Sequence, residues 1–299
     1  MCTIGCLGMT TLDTLLFTDR PPMAEEVSRV ADDVISIGGK GMVTALSLFY
    51  LGCKPRFLSL IGKRSELESL LPAGFDDSFL QESLDTVQRT WIVITGEQQV
   101  YTLVRSCQPP RSEAVLSDNV VASFLQGLDL LYVSAEYLPL VQIVVTAAAK
   151  RRIPIVTNLS WAFLADPDTG SAMLLDLLLN VSHTLLVNET EALEMMKRPG
   201  FQNWLKVERP NLRHIVITSG AEGGRYSSKP FDRWERYSAG VPERMQCVVG
   251  AGDTFNGAYI KARFVDRRSI TDACRFAADI AALKIGRRGS ALSASEVLP

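Results

Sequence analysis

Short apolar runs alternate with longer stretches of helical periodicity along most of the chain. The runs that read as strands cover residues 3–8, 56–62, 128–134, 153–159, 184–188 and 214–219. Several of them, such as LLYVS, IPIVTNL and HIVITS, are apolar at consecutive positions, the pattern of a strand buried on both faces. Helical periodicity predicts helices over 40–51, 139–151, 172–179, 189–197, 199–206, 253–264 and 270–285. Strands alternating with helices predict an α/β fold, a parallel sheet covered on both sides. Right-handed crossovers then bring the strand C-termini to one edge, where ligands bind in such folds.

Two stretches break the alternation. Residues 14–37 hold TLLFT, a Pro-Pro turn and VSRVADDVIS; residues 88–105 hold TWIVIT, a GEQQ turn and VYTLVR. Both read as antiparallel hairpins. Set apart from the parallel sheet they would form a flap over the strand ends; otherwise they extend the edge of that sheet. The flap is the reading preferred here.

Composition narrows the function classes. With 31 Lys+Arg against 33 Asp+Glu the net charge is −2, which excludes nucleic-acid binding by bulk positive charge. No window of eighteen uncharged apolar residues occurs, so no membrane span is expected. The start, MCTIGCLGMTTLD, reads as a first strand and not as a signal peptide. Six cysteines without CxxC spacing, and no export signal, suggest reduced thiols and a cytoplasmic location. The two histidines, His183 and His214, each precede an apolar run, which leaves little material for a zinc cluster or a Ser-His-Asp triad. Chemistry must then rest on carboxylates, lysines, backbone amides or a bound metal.

The most informative stretch is VVGAGDTFNGAYIKARF, residues 248–264. Gly250 and Gly252 bracket Ala251, and Asp253 opens a helix pattern at once. Small residues before the helix let an anion approach the backbone, and the amides of 251–253 with the positive helix end would hold it. A carboxylate beside an anion is repelled by it. That arrangement makes sense if the anion is a phosphoryl group in transfer and the carboxylate takes the proton of the attacking hydroxyl. Taken alone, Asp253 is better explained as an ordinary helix cap after a glycine turn.

GAGDTFNGAYI closely resembles the C-terminal signature of ribokinase-like carbohydrate kinases, the pfkB family. There the aspartate is the catalytic base and the glycine-rich amides are the anion hole. Other segments agree in order. GGKGMVTALSLFYLG, residues 38–52, resembles the N-terminal signature, whose glycines contact the sugar. VNETEALEM resembles the Asn-x-x-Glu motif, through Asn188 and Glu191, which places magnesium and the phosphates. VITSGAEGGRY resembles the nucleotide turn, through Thr218, Gly220 and Gly223. GCLGMTTLD resembles the first strand and loop, whose aspartate, here Asp13, binds substrate hydroxyls. Gly289, Ser290 and Ala291 resemble the loop bordering the adenine.

Each motif has a plainer explanation. Asn-x-x-Glu is also a capping-box pattern, and 218–223 is also a hairpin turn. Asp13 also serves as a turn former. Three glycines at 38, 39 and 41 exceed what a turn needs and suggest close backbone approach. Lys40 at a helix start opposes the dipole, which favours a ligand role. No Gly-x4-Gly-Lys-Ser/Thr string, no GxGxxG after a strand and no protein-kinase motif set occurs.

The chain also departs from the family. Val43 stands where many sugar-phosphorylating members carry asparagine, and TNLSW keeps only Asn158 of an Asp-x-Asn-x-Arg string found in fructokinase-like members. Residues 62–88 are short for the family, and Asp279 replaces an asparagine near the adenine pocket.

The resemblance implies one ribokinase-like domain over 1–299, an α/β/α sandwich with a parallel sheet and a small β lid from about 14–37 and 88–105. It implies ATP-dependent phosphorylation of a small sugar hydroxyl, with a nucleoside or a sugar phosphate as alternative acceptors. Asp253 is the expected base, residues 250–252 complete the anion hole, and Asp13, Gly38, Gly39 and Lys40 hold the substrate. Magnesium is expected through water on Glu191, with a monovalent cation as a further candidate cofactor and a homodimer through the lid. Arg89 and Arg105 would grip a phosphorylated substrate or else face solvent. A reading of another class, a catalytically weak regulator that binds a small ligand, is motivated by the altered specificity positions.

Overall fold

The structure is a computed structural model that describes residues 2–82, 88–105, 116–136, 138–165, 169–198, 200 and 209–293. Its strands are β1 (Ile4–Leu7), β2 (Thr11–Thr18), β3 (Val30–Gly38), β4 (Arg56–Ile61), β5 (Leu80–Glu82), β6 (Gln88–Thr95), β7 (Val100–Arg105), β8 (Leu130–Ala135), β9 (Ile155–Leu159), β10 (Ser182–Asn188), β11 (His214–Thr218), β12 (Gly224–Ser228) and β13 (Glu235–Tyr237). Its helices are α1 (Lys40–Tyr50), α2 (Asp118–Leu125), α3 (Leu138–Lys150), α4 (Trp161–Ala165), α5 (Thr169–Val181), α6 (Glu189–Lys197), α7 (Ala251–Ile260), continued by a wider π turn over Lys261–Val265, and α8 (Ile270–Ile285).

Nine strands form one sheet in the order β13-β12-β11-β10-β9-β8-β1-β4-β5. From β11 to β5 neighbouring strands are parallel; β12 and β13 add an antiparallel edge. Consecutive residues of the central strands feed opposite faces. Leu131, Val133, Ile155, Leu185 and Ile215 enter a core with α2, α3, α5 and α6, whereas Leu130, Tyr132, Val156, Leu186 and Val216 enter one with α1, α7 and α8. This two-sided burial explains the unbroken apolar runs. The strand order reverses between β8 and β1, and the crevice outside the C-terminal ends there is where such sheets place ligands.

The two hairpins join into a separate four-stranded sheet, order β3-β2-β6-β7, through a parallel β2–β6 pair. Leu15, Ile92 and Ile94 form its small core together with Cys247. Its other side leaves Ile35 and Leu103 exposed.

The short elements β5, β12, β13, α2 and α4 lie outside the predicted ones: GRYSS and ERY are short and mostly polar strands, whereas the Ser117 cap and the buried face of Val121, Phe124 and Leu125 gave α2 a legible pattern. The helix expected over 199–206 falls almost entirely outside the described residues, as does Cys107.

Candidate active site

The site forms where α1 and α7 begin side by side. Gly257 permits this: a Cβ there would lie 2.7 Å from Ser47 Cβ and 2.8 Å from the Thr44 carbonyl oxygen, so only glycine lets the helices approach so closely. Thr44 Oγ1 donates to the Asp253 carbonyl oxygen (3.1 Å) and ties the two helix starts together.

Gly250 caps α7 in the left-handed region, φ 79°, and a Cβ on it would overlap the Ser290 carbonyl oxygen. The Ala251 N–H donates back to the Val248 carbonyl (3.2 Å), and the Thr254 N–H donates to Gly250 (2.9 Å). The first-turn amides that remain to face a ligand are therefore those of Gly252 and Asp253. Nothing lies within 4 Å of where a Cβ of Gly252 would stand, so the mouth of the helix is open.

Asp253 is half-buried, and its carboxyl is pushed up to about 7. Burial is the largest cause; Lys40 opposes it, while Glu136, Glu191 and Asp13 push the same way. Lys40 Nζ meets Glu191 Oε1 at 2.6 Å, and the Glu191 side chain is only 2% exposed. Burial alone would lower the Lys40 ammonium, but Glu191, Asp253 and Glu136 more than offset it and keep it charged. This ion pair compensates the unfavourable position of a lysine in a first helical turn.

Asn188 and Glu191 make a capping box: Glu191 N–H donates to Asn188 Oδ1 (2.7 Å) and Asn188 N–H donates to Glu191 Oε2 (3.0 Å). The plainer explanation of this motif is thus realised, and the same carboxylate reaches Lys40.

Asp13 is 4% exposed and accepts from Thr11 Oγ1 (2.6 Å) and Ser290 Oγ (2.9 Å). Burial raises its carboxyl despite these bonds. The glycines of GGKG are explained by the protein itself: a Cβ on Gly38 would overlap the Asp13 carboxylate, one on Gly39 (φ 92°) the Met9 carbonyl, and Gly41 rests on Gly8.

Ser290, expected beside the adenine, touches Asp13, Gly250 and, through its N–H, Ser36 Oγ (3.1 Å). Its neighbours on the same loop are Gly289, buried with φ 108°, and Ala291, which is partly buried. Thr218, Gly220 and Gly223 form the turn from β11 to β12, closed by Ser219 N–H on the Gly223 carbonyl (2.8 Å). Thr218 pairs in register with Asn188, so this turn lies next to the capping box. Asp279 is exposed on α8.

The sequence reading missed Glu136. It directly follows β8, accepts from Met9 N–H (3.2 Å), and is raised by burial against the pull of Lys40. A lone acidic residue at the C-terminal end of a strand buried on both faces was the available signal.

Asp253, Glu136, Glu191 and Asp13 against Lys40 give the site an excess of negative charge. No three His, Cys, Asp or Glu among the described residues stand close enough to chelate a metal. That combination fits magnesium held through water and phosphate, with no protein cage.

The sequence profile of the pfkB family carbohydrate kinases matches residues 1–297. The ribokinase of Haemophilus influenzae is 26% identical over 86% of this chain and 83% of its own. The Burkholderia thailandensis nucleoside kinase in complex with inosine superposes with a TM-score of 0.78 at 18% identity, covering 99% of this chain and 96% of that one. The Arabidopsis thaliana ribokinase complexed with ribose and ATP does so with a TM-score of 0.77 at 18% identity, over 97% and 95%. The fold is that of ribokinase, and this chain belongs to the pfkB family of carbohydrate kinases.

Proposed function

We propose that this chain transfers the γ-phosphoryl group of ATP to a hydroxyl of a small free sugar, with Asp253 as general base. The observation that carries the reading is a carboxyl poised near 7 at an open helix mouth. Asp253 accepts the hydroxyl proton as the substrate oxygen bonds to the γ-phosphorus. The bond from that phosphorus to the bridging oxygen breaks, and ADP leaves with the electron pair. The Gly252 and Asp253 amides stabilise charge on the phosphoryl oxygens, on a loop set by Gly250 and Ala251. Bound magnesium would neutralise phosphate charge, held through water at Glu191 beside Asn188.

Thr218, Gly220 and Gly223 line the nucleotide, and Gly289 and Ala291 flank it. Asp13, oriented by Ser290, takes substrate hydroxyls near Gly38 and Gly39, and Lys40 fixes Glu191 while facing the transferred phosphate. The four-stranded sheet acts as a lid that excludes water, and its exposed Ile35 and Leu103, which share its outer face, suit a homodimer contact.

A nucleoside is the second reading, since Val43 puts an apolar side chain where many sugar kinases have asparagine and so withholds a polar contact from a hydroxyl-rich ring. A phosphorylated sugar is disfavoured because Arg89 is already paired with Glu66 at 2.6 Å.

The deciding experiment is a thermal-shift screen of sugars, sugar phosphates and nucleosides with a non-hydrolysable ATP analogue, followed by ADP release on the hits. A sugar should raise the melting temperature by mass action and then drive turnover. Stabilisation by nucleosides alone selects the second reading. A ligand that binds and drives no ADP release selects a regulator instead.

A further inference from the structure

One charged group near the site takes no part in the steps above. Lys284, in the last turn of α8, is 1% exposed, among the most buried charged residues described. Its Nζ donates to the carbonyl oxygen of Cys247 at 3.0 Å and to that of Val249. These carbonyls belong to the segment that runs straight into Gly250–Asp253.

The other side of that segment is fixed to the same helix end. Gln246 N–H and Cys247 N–H both donate to the Ile285 carbonyl, at 2.9 and 3.1 Å, and Gln246 Nε2 donates to Gly286 (2.7 Å). A lysine suits a helix C-terminus, where the orphan carbonyls carry partial negative charge. A buried ammonium hydrogen-bonded to main-chain carbonyls is, chemically, a monovalent cation in an oxygen cradle. Potassium and ammonium ions take the same ligands.

A free monovalent cation was a candidate cofactor for this chain. The residues present do not fit one behind the anion loop, because the carbonyls of Cys247 and Val249 already receive the lysine.

We propose that Lys284 is a positioning residue whose ammonium replaces a bound monovalent cation: it clamps the Cys247 and Val249 carbonyls and thereby sets the Gly250–Asp253 loop for phosphoryl transfer. This rests on the reading of that loop as the anion hole. Gly250 sits between two fixed points, the lysine clamp on one side and the Ser290 carbonyl on the other. Movement of either displaces the Gly252 and Asp253 amides relative to the phosphate.

The test compares the full-length wild type with Lys284→Met and Lys284→Ala. Melting curves and ADP release are recorded in potassium, ammonium, sodium and tetramethylammonium chloride at equal ionic strength. The wild type should melt at the same temperature in all four salts and turn over at the same rate. Lys284→Met should lower kcat by roughly tenfold or more with little change in KM, because misplaced anion-hole donors act on the transition state. Lys284→Ala should recover melting temperature, and part of kcat, in ammonium or potassium but not in tetramethylammonium.

Saturable activation or stabilisation of the wild type by potassium would overturn the proposal by revealing a separate cation site. So would full kcat in Lys284→Met, or a Lys284→Ala melting temperature indifferent to the cation. The melting curves stand without any turnover, so a chain that phosphorylates nothing in the panel defeats the kinase reading while the cation substitution is still decided.

Discussion

Replacing Asp253 by asparagine should stabilise the protein without ligand, and the gain should grow with pH. The carboxyl rises from an ordinary 3.8 to about 7, first through burial and then through Glu136, Glu191 and Asp13, against Lys40. The sign follows from linkage. A carboxyl raised in the folded state favours the protonated form there, so its contribution is most favourable below 3.8. Stability is lost as pH climbs from 3.8 to about 7 and is level above that. The full gap corresponds to a ceiling of roughly 4 kcal/mol at pH 8 and about 2 kcal/mol at pH 5. Asparagine keeps the shape and removes the charge. Melting curves of the ligand-free wild type and Asp253→Asn at pH 5 and pH 8 read the difference, and for a chain of this size each kcal/mol is worth about 2–4 °C. Asp253→Asn should melt higher by several degrees at pH 8 and by roughly half as much at pH 5. An ordinary first-turn aspartate would give the opposite, since the helix dipole favours its charge by about 0.3–1 kcal/mol. A variant that is less stable at pH 8, or a gap that ignores pH, would refute the electrostatic account of the site.

Lys40→Met removes the partner of a Glu191 side chain only 2% exposed, and should destabilise by about 3 kcal/mol, read by urea unfolding. Gly250→Ala must adopt φ 79° and overlap the Ser290 carbonyl; it should lower the melting temperature and reduce turnover together, and an unchanged melting temperature would contradict that packing. His214 is lowered to about 4 by burial, with His183, Arg263 and Arg213 adding to it. Because its folded value lies below the ordinary 6.5, it contributes stability above 6.5 that is lost as pH falls toward 4. His214→Gln should flatten that part of the acid limb in a melting-temperature series.

The layered α/β architecture was readable because strands such as β8 and β10 carry apolar residues at consecutive positions, LLYV and LLV, and flank strongly periodic helices. The four-stranded sheet was visible only as two hairpins; the β2–β6 pairing that joins them spans more than seventy residues of sequence and leaves no local trace. Glycine counts revealed crowding at 38–41 but not its cause, which is the chain's own Asp13, Met9 and Gly8. Asn188 and Glu191 show why one motif supports two explanations: the capping box and the link to Lys40 use the same carboxylate. Lys284 was invisible in a helical pattern that treats it as one more amphipathic position, because its partners are backbone carbonyls with no residue type to read. Ser290 was placed by resemblance alone, and its hydrogen bond to Asp13 crosses most of the chain.

The central claim is that Asp253 takes the acceptor's proton. Its most direct test is steady-state ADP release by the wild type and Asp253→Asn on the same acceptor, with ATP affinity measured alongside. The account predicts a fall in kcat of roughly 10²–10⁴-fold with ATP affinity little changed, and a wild-type kcat/KM that declines below about pH 7. Equal turnover by the two proteins would contradict it.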